Sequence, residues 1–67
     1  MYKVTVVLKD AGIHAPMRVV YHDIKGLNQL ELSAVGLSVN VIVRDLLGEV
    51  VAMYCGPDVQ VHVYRVG

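Results

Sequence analysis

This chain is predicted to fold as an all-β domain. Short runs of alternating or β-branched residues recur about every ten positions along its 67 residues, with turn signals between them. β-Branched side chains dominate the stretch from Leu37 to Cys55, which suits a pleated, half-buried surface. Only one segment, 27–35, carries a competing helical pattern.

Tyr2–Lys9 alternates most cleanly, with Tyr2, Val4, Val6 and Leu8 on one face and Lys3, Thr5, Val7 and Lys9 on the other. Asp10–Gly12 supplies a turn signal. Ile13–Pro16 reads as a connector, because Pro16 removes a ladder donor and turns Ala15 away from helix. Met17–Asp23 resumes extended chain, with Met17, Val19 and Tyr21 opposite Arg18, Val20 and His22, and Lys25–Gly26 makes the next turn. In 27–35, Leu30, Leu32 and Ala34 alternate as in a strand, whereas Leu27, Leu30 and Ala34 fit one side of a helix. Nine residues are too few for an unsupported helix, so a strand is favoured and one short helix at 27–35 is the alternative. Gly36 reads as a bend or bulge.

Leu37–Arg44 and Glu49–Cys55 are the arms of a hairpin turning at Asp45–Gly48, whose glycine adopts left-handed backbone easily. The second arm is apolar on both faces: Val50, Ala52 and Tyr54 point one way, Val51, Met53 and Cys55 the other. A strand without a polar face is expected to be covered on both sides. Cys55 then reads as a buried, inert thiol. Gly56–Asp58 is a turn and Val59–Val66 alternates as the last strand. The whole implies a six-stranded meander that closes into a small SH3- or OB-like barrel, or a compact sandwich, as one domain over residues 1–67. The first and last strands are candidates to pair, and Lys3, Lys9 and Pro16 read as edge protection.

Composition bounds what such a domain can be. A chain of this size buries only about 60% of its unfolded surface. Apolar residues nonetheless reach 55%, above the usual 45–50% or so. The single cysteine excludes an intrachain disulfide and a CxxC zinc site, and His14, His22 and His62 are too scattered for a metal motif. Association into a homo-oligomer is the remaining source of stability. Six Lys/Arg balance six Asp/Glu, which disfavours a strong, non-specific nucleic-acid binder. No apolar run is long enough to span a membrane. One unpaired thiol and no signal-peptide pattern lead to an expected cytoplasmic location.

No catalytic set and no cofactor motif stand out. Gln60, His62 and Tyr64 project side by side from the last strand, about 7 Å between neighbours. Arg18 with His22, and Asn40 with Arg44, would gather into a cationic patch for an anionic ligand if their strands were neighbours. Leu46 and Leu47 at a turn tip, with Val51 and Met53, are more apolar surface than one small barrel needs and mark an interface. The favoured reading is a non-enzymatic, self-associating protein-interaction module, such as a regulator or inhibitor. The first alternative is an oligomeric binder of an anionic small ligand, such as a nucleotide, between subunits. The second is a single-strand nucleic-acid binder that stacks bases on Tyr2, Tyr21, Tyr54 or Tyr64.

Overall fold

The computed structural model describes residues 1–9 and 17–67. The expected turn at Asp10–Gly12, the Ile13–Pro16 connector and His14 lie outside them. Six antiparallel strands are described: β1 (Tyr2–Lys9), β2 (Met17–Ile24), β3 (Leu30–Val35), β4 (Ser38–Arg44), β5 (Val50–Gly56) and β6 (Gln60–Arg65). They form two sheets, ordered β2-β1-β6 and β3-β4-β5. First and last strands do pair, with Val4 opposite Val63 and Val6 opposite Val61. The expected meander needs correction, because β2 does not pair with β3 and β5 does not pair with β6. No closed barrel forms among the described residues.

Alternation on β1 has the consequence its pattern predicts. Val4 and Val6 are fully buried, while Lys3 and Lys9 on the opposite face are exposed. Val41 and Val43 of β4 and Ile24 at the end of β2 complete one core, with Tyr2, Leu8, Leu30, Tyr54 and Val61 packed around it. Because β1 is the central strand of its sheet, Lys3 and Lys9 do not guard an edge. They face solvent from the middle of the sheet, and Lys3 Nζ lies 5.0 Å from the centre of the Tyr21 ring.

Residues 27–35 contain both of the anticipated structures in miniature: a 3-10 turn at Leu27–Gln29, then β3. Gln29 explains the division. Its buried side chain accepts hydrogen bonds at Oε1 from the Lys25 and Gly26 amides (2.8 and 3.2 Å). Its Nε2 donates to the Arg44 carbonyl (3.0 Å), tying the passage between the sheets to the end of β4. A left-handed Gly36 (φ 60°) then starts the turn into β4.

The β4–β5 turn is fixed by its own polar groups. Asp45 Oδ1 accepts from the Leu47 and Glu49 amides, both at 2.9 Å, and Gly48 (φ 85°) donates its amide to the Asp45 carbonyl. Pairing jumps from Val43–Ala52 to Arg44–Val50, a bulge that leaves Val51 without a partner on β4. No helix among the described residues is long and apolar enough to cross a membrane.

Two substitutions test this account by urea unfolding. Gln29→Leu strands two amides and a carbonyl and is expected to cost about 2–3 kcal/mol. Val41→Ala should cost about 2 kcal/mol through lost burial and a cavity, whereas Val19→Ala on the exposed face should stay within about 0.5 kcal/mol.

Candidate interaction surface

β5 was expected to be covered on both sides; the structure reverses this. β5 is an edge strand bonded only to β4, and no third layer covers its outer face. Met53 is 67% and Val51 58% exposed. Cys55 shares their face and is exposed rather than buried. Ala52 and Tyr54, on the other face, are half-buried against the core. At the hairpin tip, the hydrogen-bonded turn holds Leu46 and Leu47 outward, and Leu47 is 88% exposed. All four residues anticipated for an interface thus lie open on a single chain.

A polar contact joins the opposing edges, β2 and β5. His22 Nε2 and the Tyr54 hydroxyl are 2.6 Å apart, with ring centres at 5.7 Å. A cleft opens on each side. One, of about 460 Å³, is lined by Lys9, Arg18, Tyr54 and Cys55 among others. The second, of about 440 Å³, has Ile24 and Val43 in its wall and is ringed by His22, Arg44, Leu46, Leu47 and Val51. The tip leucines therefore border a recess rather than closing over the core.

The anticipated ligand residues fall in three places. Arg18 lines the first cleft; His22 and Arg44 meet at the second. The strand neighbourhood expected to gather Arg18 and His22 with Asn40 and Arg44 is absent, because β2 and β4 belong to different sheets. Arg44 is also engaged, donating to the Gly48 carbonyl (3.0 Å) and pairing with Glu31 at 3.5 Å. Gln60, His62 and Tyr64 stand in a row on the exposed face of β6, opposite Val7, Thr5 and Lys3. Among the described residues, no three His, Cys, Asp or Glu side chains gather as metal ligands.

No protein-family model, curated protein or solved structure matches this chain. Its function must be argued from its own surface.

Two contacts here escaped the sequence pattern, the Gln29 amide and the His22–Tyr54 pair. The second did leave a trace: His22 shares a strand face with Val20 and Ile24, so a polar partner was needed where that face turns inward. A double-mutant cycle of His22→Ala and Tyr54→Phe is expected to give a coupling energy of about 1 kcal/mol in unfolding measurements.

Proposed function

We propose that this chain is a non-enzymatic protein-interaction module, a regulator or inhibitor acting in the cytoplasm, that works as an assembly of its own copies. The architecture that suits this role is a compact two-sheet sandwich left open along its edges.

The observation that carries the reading is exposed apolar surface on one strand and the turn before it. Leu46, Leu47, Val51 and Met53 are each more than half exposed. A chain of 7.3 kDa has little interior in which to bury them.

Light scattering during size-exclusion chromatography tests the reading. The expected mass exceeds the 7.3 kDa of a single chain, and the melting temperature should rise with protein concentration. A single-chain mass at high concentration would sink it.

A second reading, an anionic small ligand, is favoured by one observation: Lys9 and Arg18 share a cleft with Tyr54. A nucleotide at millimolar concentration should then raise the melting temperature, and Arg18→Ala should abolish the rise. No rise in the parent protein removes this reading.

A further inference from the structure

Among the described edge strands, β5 is the least defended, with only the bulge at Val51 to guard it. Natural edges are commonly blunted by charges or prolines that discourage another strand from pairing there. β2 carries Arg18 and Asp23, β3 carries Glu31, and β6 carries Arg65. β5, Val50–Gly56, contains neither a charge nor a proline. It is also the strand whose outer apolar face, with Val51, Met53 and Cys55, stays uncovered in the single chain.

We propose that a second copy of this chain pairs with the free edge of β5, antiparallel and strand to strand, so that two β3-β4-β5 sheets become one continuous six-stranded sheet. This rests on the self-association reading above and states where the contact forms. Symmetry favours a second copy as the occupant. A two-fold axis sets a strand against itself, so any charge on it would meet its like across the axis; β5 has none to oppose.

The outer face of the sheet points the same way. Ile42 and Met53 are cross-strand partners, so an apolar stripe runs across β4 and β5 and stops at the free edge. Pairing about Tyr54 sets Met53 against Cys55 of the second copy and so continues the apolar outer face across the axis. The bulge at Val51 confines regular pairing to the Ala52–Gly56 end.

Charge complementarity selects the antiparallel direction. In that arrangement the β4–β5 turn, with Asp45 and Glu49, lies beside the Cys55 end of the other copy. There Lys9 and Arg18 line the cleft together with Asp58, two cations to one carboxylate among the described residues. A parallel pairing would instead bring the two acidic turns together. Because a two-fold contact is closed, the product is a dimer and not a filament.

The test compares the parent chain with Met53→Lys and Leu37→Lys by light scattering between about 10 and 200 μM, a range that brackets weak dimerisation. Both substitutions replace an exposed apolar residue, but Leu37 lies in the β3–β4 turn and not on β5. The parent is expected at about twice 7.3 kDa, and so is Leu37→Lys. Met53→Lys, which puts a charge on each strand close to the two-fold axis, should weaken the dimer more than about 100-fold and run as a folded monomer by circular dichroism. A dimer that survives Met53→Lys, or one that Leu37→Lys disrupts equally, overturns the β5 contact while leaving self-association standing. A monomeric parent removes both. Should Met53→Lys fail to fold, amide exchange of the parent decides: protection in β5 must fall on dilution, and concentration-independent protection overturns the proposal.

Discussion

Among the described residues, five aliphatic side chains, Val4, Val6, Ile24, Val41 and Val43, form the buried hydrophobic core. They come from the central strand of each sheet and from the end of β2, so each sheet is anchored along its midline and loses cover toward its edges. A core this narrow cannot shelter the apolar residues that the sequence supplies. Leu46, Leu47, Val51 and Met53 are left outside because there is no inside left to receive them. The exposed surface of β5 follows from the width of the core as much as from the sequence of β5 itself.

Where hydrophobic contact is thin, polar contacts do the joining. The sheets share no ladder, so their relative placement depends on side chains that reach across. Gln29 satisfies two amides on the passage out of β2 and a carbonyl at the end of β4, which fixes one end of the interface. His22 and Tyr54 tie the β2 and β5 edges together. Each of these groups is costly to leave unpaired away from water, so each specifies one arrangement of the sheets more sharply than another valine would.

Much of the fold was legible because alternation is a local property. β1 has the boundaries its pattern gives, and β2 runs one residue further, to Ile24. What could not be read locally was the partner of each strand. The passage at Gln29 and the turn at Pro57 send successive strands to different sheets, which breaks the expected meander. The same division separates β2 from β4, whose adjacency was the condition for gathering Arg18, His22, Asn40 and Arg44. Residues 27–35 were ambiguous because the decisive interaction is a hydrogen bond from Gln29 to a residue fifteen positions away. β5 differs in another way. Its pattern says that both faces want cover, which the physics supports, but a pattern cannot say whether the cover belongs to the same molecule.

Net charge hides a comparable division. The strands of the β2-β1-β6 sheet carry Lys3, Lys9, Arg18 and Arg65 against Asp23 alone. On the β3-β4-β5 side, including its hairpin turn, Arg44 stands against Glu31, Asp45 and Glu49. The two halves therefore differ in sign although the chain sums to zero. Neutrality over the whole chain limits strong long-range attraction to a polyanion, but it does not make the surface featureless. A molecule divided in this way meets its own copy most favourably when unlike ends adjoin. For two strands with no charges of their own, the antiparallel direction satisfies that condition. The uncharged edge permits the contact, and the charges flanking it decide which way round the copies lie.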